Sequence, residues 1–295
     1  MPKWFSETLH PSVRQTLKIK EVLHSGKTPF QKIQIVDTEQ FGKALILDGV
    51  VQTTEKDEFI YHEMTTHVPL FSHPNPKRVL VIGGGDGGII REVLKHPVEE
   101  VYLVEIDEQV ITLSQKYLCG ICKGVFKDSR TRVRVEDGAK FITEQTIPFD
   151  VVIIDSTDPI GPAKVLFSKK FYQAIKRVLS PAGILARQTG STIFQPDEWM
   201  ENYRQLKRFF SQVHPFVITV PTYIGGLFSL VFASDKINPF ALDLVMLKAR
   251  YGELQLKTRY YNSEIHQSCF RLPEYMKSRL PVEEMNRNAV SSVPH

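Results

Sequence analysis

The stretch that most limits what this chain can fold into runs from Val79 to Gly88. Four apolar residues, Val79–Ile82, are followed by Gly83, Gly84, Gly85, Asp86, Gly87 and Gly88, and a helical pattern, Ile89–Leu94, begins at once. A strand, a glycine turn and a helix in that order bring bare backbone up to a small molecule. Gly83, Gly85 and Gly88 satisfy G-x-G-x-x-G, a spacing shared by many nucleoside-binding folds. Asp86 narrows the reading. A loop built for pyrophosphate has no use for a carboxylate among the phosphates, because like charges repel strongly in a partly dehydrated cleft. The loop therefore reads as nucleoside-binding but not dinucleotide-binding.

From Arg78 onward the pattern alternates. Val79–Ile82, Val101–Glu105, Arg132–Val135, Val151–Asp155 and Ile184–Gln188 read as strands. Gly87–Lys95, Glu108–Tyr117, Ala139–Glu144, Lys169–Leu179 and Pro196–Phe210 read as the helices between them and after them. Phe216–Val220 and Leu227–Phe232 lie too close in sequence for a helical crossover, so one of the two must run antiparallel. The expected fold is α/β: a methyltransferase-like doubly wound sheet, mostly parallel, with a terminal antiparallel hairpin. Ahead of it, Leu17–Leu23, Gln31–Val36, Lys43–Leu47 and Val50–Thr54 read as a small antiparallel β domain. Turns are expected at Ser25–Gly26, Asp37–Thr38 and Asp48–Gly49. The expected division is an N-terminal β-sheet domain, 1–58, and a Rossmann-like catalytic domain, 59–295.

Composition excludes several partners. The net charge is only +4 and Lys and Arg are scattered, which leaves no nucleic-acid footprint. No apolar run approaches the roughly 20 residues of a membrane span, and the first residues lack the layout of a signal peptide. A cytoplasmic location is expected. Cys119 and Cys122 have redox or metal-ligand spacing, but no second pair or histidine stands beside them to complete a zinc site. A structural thiol pair, a disulfide and a redox role all remain open for them.

Ligands of doubly wound sheets lie at the carboxyl ends of the strands, and acids collect there: Asp86, Glu105, Asp137, Asp155 and Asp158. Helix capping explains one such acid but not a set of five over four successive strand ends. Glu105 falls about 20 residues after the glycines, where an acid grips ribose hydroxyls, and Asp137 is placed for an adenine amino group. Asp86, Asp155 and Asp158 remain, a cluster that calls for a cation. S-adenosylmethionine would turn its own carboxylate toward Asp86. A sulfonium whose tail ends in an amine fits, with a second substrate that is also cationic.

Tyr61–Glu63, Gly83–Gly88, Glu105–Asp107, Asp137–Gly138, Asp155–Pro162 and Pro221–Tyr223, with Gly49–Glu58 and Tyr260–His266, together resemble the spermidine synthase (polyamine aminopropyltransferase) family over nearly the whole chain. The resemblance implies decarboxylated S-adenosylmethionine as co-substrate, putrescine as acceptor, no metal or other cofactor, and a homodimer or homotetramer. It implies that Gln31, Glu105, Asp137, Gly138 and Pro162 hold the methylthioadenosine part and Asp86 the aminopropyl ammonium. Asp155 would be the general base. His62, Ser156, Thr157, Asp158, Tyr61 and Tyr223 would line the amine site with Asp86 and Asp155. Trp4 resembles a tryptophan that closes the diamine pocket in some members. Two segments depart from the pattern: Gln188–Phe194 lacks an acid and a tryptophan that many members carry, and Ile224–Gly225 stands in place of Pro–Ser. Agmatine or a triamine is therefore an alternative acceptor. An S-adenosylmethionine-dependent methyltransferase and a catalytically silent nucleoside-binding protein are the readings from other classes. His266 is expected to be a hydrogen-bonded structural residue.

Overall fold

The computed structural model describes residues 3–156 and 161–281, with the side chains of 161–163 outside that set. Five strands, β1 (Lys3–Ser6), β2 (Thr16–Lys27), β3 (Lys32–Thr38), β4 (Gly42–Leu47) and β5 (Val50–Thr54), form an antiparallel sheet in sequential order. Asp48 and Gly49 both take positive φ, 47° and 82°, and join β4 to β5 with Leu47 opposite Val50. That is the two-residue turn whose twist matches the strands it joins. Ser25 and Gly26 are not a turn: β2 runs through them, pairing Ser25 with Gln34 and Gly26 with Ile33. The chain reverses instead at 28–31, closed by the Thr28 amide on the Gln31 carbonyl at 2.8 Å.

The second sheet has seven strands: β6 (Arg78–Gly83), β7 (Glu100–Glu105), β8 (Thr131–Val135), β9 (Phe149–Asp155), β10 (Leu179–Ser191), β11 (Gln212–Thr219) and β12 (Leu227–Ser234). Their order is β11-β12-β10-β9-β6-β7-β8. β6 to β10 are parallel, and β12 runs antiparallel to both β10 and β11. This is the expected methyltransferase-like sheet. The middle of its central strands, Val79–Ile82 and Val151–Ile154, is continuously apolar because both faces are covered. Val79 and Val81 pack with Ile60, Met64 and Val68 of α1 (Glu58–Ser72) and Ile89, Ile90 and Val93 of α2 (Gly88–Val93). Leu80 and Ile82 face the other way, onto Phe141 of α5 (Gly138–Glu144), Tyr172 and Ile175 of α6 (Lys169–Val178) and Trp199 of α7 (Pro196–Lys207).

The small sheet is fastened over the carboxyl ends of these strands. Ile33, Ile35, Leu45 and Leu47 pack on Val110 and Leu113 of α3 (Glu108–Tyr117) and on Ile121 of a single helical turn, α4 (Cys119–Cys122). Asp107, the N-cap of α3, accepts from Thr28 Oγ1 at 2.7 Å and Gln31 Nε2 at 3.0 Å. Asp57 accepts from the backbone and hydroxyl of Thr222 at 2.9 and 2.8 Å. These bonds roof the carboxyl end of the large sheet's parallel strands with the small one.

Candidate active site

The roof and the strand ends enclose a cavity of about 600 Å³. Its floor is the glycine loop. Gly83 (φ 82°) lies so close to β9 that a Cβ there would sit 1.9 Å from the Asp155 carbonyl oxygen. Asp86, at the tip, accepts from the Gly88 amide at 2.8 Å, and its other oxygen lies 3.3 Å from Nε2 of His62. His62 stands on α1 because Gly88 leaves room for its ring: a Cβ at 88 would be 2.2 Å from it.

Asp155, the last residue of β9, accepts a hydrogen bond from the Tyr61 hydroxyl at 2.7 Å. Burial, and then the charge of Asp86, push its carboxyl up to about 6. Glu105, the last residue of β7, accepts from the Asp107 amide at 2.9 Å, and burial raises it to about 7. Two carboxyls poised near neutrality beside a third suit a site for cations or polyols. Asp137 caps α5 through the amides of Ala139 (2.7 Å) and Lys140 (3.3 Å), and a Cβ at Gly138 would meet Ile82 at 2.4 Å. Gln31 reaches the wall from the small sheet.

The far end is aromatic and neutral. The Tyr61 ring lies 5.8 Å from Tyr223 and 6.3 Å from Phe228, and the Tyr223 hydroxyl donates to the Gln52 carbonyl at 2.8 Å. Gln188 Nε2 donates to the Ser156 carbonyl at 2.9 Å, while Gln188 Oε1 and the Ser156 hydroxyl have no hydrogen-bond partner among the described residues.

Of the expected site residues, Gln31, Tyr61, His62, Asp86, Glu105, Asp137, Gly138, Asp155, Ser156 and Tyr223 all line this one cavity. Thr157 and Asp158 and the side chain of Pro162 lie outside the described residues. Trp4 does not line the cavity: it sits in the edge strand β1, 57 % exposed, and the chain after it, Glu7–His10, supplies part of the wall. His266 is buried away from the cavity, bonded to the Tyr261 hydroxyl at 2.8 Å, and burial lowers it to about 3, which suits a structural role. Cys119 and Cys122 are free thiols, one exposed and one buried. Sequence reasoning missed the partners of His62 on its far side. Glu58, four residues earlier on α1, bonds His62 Nδ1 at 2.5 Å, and its i,i+4 spacing was the available signal.

Comparison with known proteins agrees with this geometry. Residues 58–243 match the spermine/spermidine synthase domain and residues 3–55 the spermidine synthase tetramerisation domain. A polyamine aminopropyltransferase of Thermoanaerobacter sp. (strain X514) is 46% identical over 282 residues, covering 94% of this chain and 98% of that protein. Another, of Caldicellulosiruptor saccharolyticus, is 45% identical over 278 residues, with coverage of 94% and 98%. A crystal structure of spermidine synthase with the transition-state analogue AdoDATO superposes with a TM-score of 0.90 at 38% identity, covering 95% of this chain and 96% of that one. The spermidine synthase of Thermotoga maritima gives a TM-score of 0.89, also at 38% identity, with the same coverage. Fold, site and relatives define a transferase on a methyltransferase-like sheet. The chain belongs to the spermine/spermidine synthase family. Among the described residues no helix is long and apolar enough to cross a membrane.

Proposed function

We propose that this protein transfers the aminopropyl group of decarboxylated S-adenosylmethionine to putrescine, giving spermidine and methylthioadenosine. The observation that carries the reading is the pair Asp86 and Asp155 facing one cavity across the glycine loop, with Glu105 at the nucleoside end. A donor with an amino-acid tail would set its carboxylate against Asp86, which argues against methyl transfer from S-adenosylmethionine. A donor ending in an ammonium gains there.

Glu105 holds the ribose hydroxyls, and donation from them favours its ionised form. Gln31, Asp137, Gly138 and Pro162 surround the rest of the nucleoside, and Asp86 takes the aminopropyl ammonium. The acceptor arrives as a diammonium, since an alkylamine resembles Lys with a pKa near ~10.4 and is almost fully protonated at neutral pH. Asp155 takes one proton. Tyr61 orients that carboxylate, Tyr223, Ser156, Thr157 and Asp158 hold the diamine, and His62 lines the same site beside Asp86. The freed nitrogen attacks the carbon next to sulfur, the C–S bond breaks in line, and its electron pair leaves on neutral methylthioadenosine. The sulfonium is already a good leaving group, so the reaction needs no metal or redox cofactor. The neutral wall of Gln188, Ser191, Gln195 and Ile224 favours a second reading, transfer to agmatine or a triamine. The resemblance of the small sheet to a tetramerisation domain supports a homotetramer, with a homodimer as its sub-assembly, and free thiols suit the cytoplasm.

Product analysis with the decarboxylated donor against putrescine, cadaverine, agmatine and spermidine tests this directly. Spermidine and methylthioadenosine are expected with putrescine; methyl transfer, or no methylthioadenosine with any amine, overturns the reading. The acid limb of the rate profile is a second test. Asp155 in the free enzyme is neutral below about 6 and a base above it. Activity, as kcat/KM for the amine, therefore falls as pH drops through 6, whereas the kcat limb lies lower because bound cations favour the carboxylate. A kcat/KM profile flat from pH 5 to 7 excludes a base with this pKa.

A further inference from the structure

Behind the cavity wall, His62 is the second member of a row of buried charges. Asp86 Oδ2 lies 3.3 Å from His62 Nε2, and His62 Nδ1 lies 2.5 Å from Glu58 Oε2. Glu58 receives Arg91 Nη2 at 2.8 Å and Nη1 at 3.0 Å. Arg91 Nε reaches Glu92 at 2.7 Å, and Glu92 meets Lys95 at 2.5 Å, where the row comes to the surface. The signs alternate from one member to the next. Arg91 is fixed further by the Ile121 carbonyl at 2.9 Å.

A neutral imidazole has one N–H and one lone pair. Here both ring nitrogens face carboxylate oxygens, so a neutral ring would set its lone pair against an anion. Both nitrogens carry protons unless one of those oxygens holds one instead. Resting on the function proposed above, we propose that Glu58 and Arg91 are positioning residues: they hold His62 as an imidazolium, which fixes the Asp86 carboxylate toward the donor's ammonium. Among the described residues, the other titratable groups near the ring are Tyr61 on the same helix, Asp155 on β9 and Tyr223, and none of them adds a cation. Burial alone would make His62 less basic, but Asp86 and Glu58 outweigh it and raise the ring to about 10. Burial likewise opposes ionisation of Glu58, and the bonds from His62 and Arg91 outweigh it, lowering the carboxyl to about 2. Glu58 is thus no competitor for the ring proton while Arg91 is in place. Without Arg91 the short Glu58–His62 bond can collapse to a neutral pair, and Asp86 loses its cation.

The test is nitrogen NMR of the histidine rings of the full-length protein, with His62 assigned by its loss in His62→Asn. The expected wild-type signal shows both nitrogens protonated from pH 6 to 9. A His62 ring that loses a proton below pH 9 in the wild type overturns the proposal without any variant or substrate. In Glu58→Gln, which keeps the shape of the chain, His62 should titrate within that range. The donor KM should rise about tenfold, the effect of roughly 1.4 kcal/mol of lost ground-state binding, with kcat changed less. Arg91→Met should do the same, or fail to fold as buried charge is stranded, and Arg91→Lys should restore much of the donor affinity. Unchanged donor KM with an altered ring signal overturns the link to Asp86. Loss of aminopropyl transfer in the wild type overturns the function instead and leaves the ring measurement standing.

Discussion

Replacement of Asp155 by asparagine is expected to lower turnover about 10²–10⁴-fold, the usual share of proton transfer, with donor affinity held within a few-fold. The change is isosteric, and asparagine can still accept from the Tyr61 hydroxyl, which sits 2.7 Å from one oxygen. What disappears is the basic oxygen, and no neighbour among the described residues replaces it. Asp86 is engaged by the Gly88 amide and His62, and Glu105 lies at the nucleoside end. The same variant should be more stable when empty. Asp155 is raised to about 6 in the fold from an ordinary 3.8, so the folded state prefers the protonated form. The cost of its ionisation is absent below pH 4, grows as pH rises from 4 to 6, and is fully present above that. Above pH 6 the asparagine variant should therefore melt a few degrees higher than the wild type, and at pH 4 the two should converge. Equal melting at pH 7.5, or a variant with near-full turnover, would count against Asp155 as a buried base.

Much of this was legible along the chain because the local signals agreed with the global fold. Val79–Ile82, Val101–Glu105 and Val151–Asp155 are apolar runs of strand length, the last two ending in acids, and such runs fit a sheet covered on both faces. Asp48–Gly49 announces its turn by chemistry alone. The 7-residue link between Thr219 and Leu227 leaves room only for a hairpin, and β12 runs antiparallel to β11 accordingly. What stayed illegible has physical reasons too. β1 is a short edge strand with no buried position, so Lys3–Ser6 carries no alternation to read. Ser25 and Gly26 look like a turn, but the ladder to β3 continues through them, and pairing partners are not written in local composition. Glu58 and His62 are neighbours on one helix, whereas Arg91 reaches Glu58 only because α2 packs on α1. The charge state of His62 is thus a property of the fold, which the spacing of Tyr61–Glu63 could not reveal.

Gly83→Ala should be the most damaging single methyl in the protein. Gly83 ends β6 with φ at 82°, a region that costs an alanine about 1 kcal/mol by itself. The larger cost is steric. A Cβ would fall 1.9 Å from the carbonyl oxygen of Asp155 and 2.8 Å from its carbonyl carbon. Those atoms are backbone, in register opposite Gly83 in the parallel pair of β6 and β9. Relief requires the strands to separate, yet β7 holds β6 on its other side and β10 holds β9. The loss should exceed about 4 kcal/mol and lower Tm by roughly 10 °C or more. Whatever folded protein remained would carry Asp155 on a displaced strand end and should be inactive. Gly124→Ala separates the two costs: Gly124 also has positive φ, 77°, but nothing lies within 4 Å of a Cβ there. It should lose only the conformational part, about 1 kcal/mol, and keep its turnover. Thermal melts of the two variants side by side decide the matter, because comparable losses would mean that backbone conformation and not the contact with Asp155 reserves position 83 for glycine.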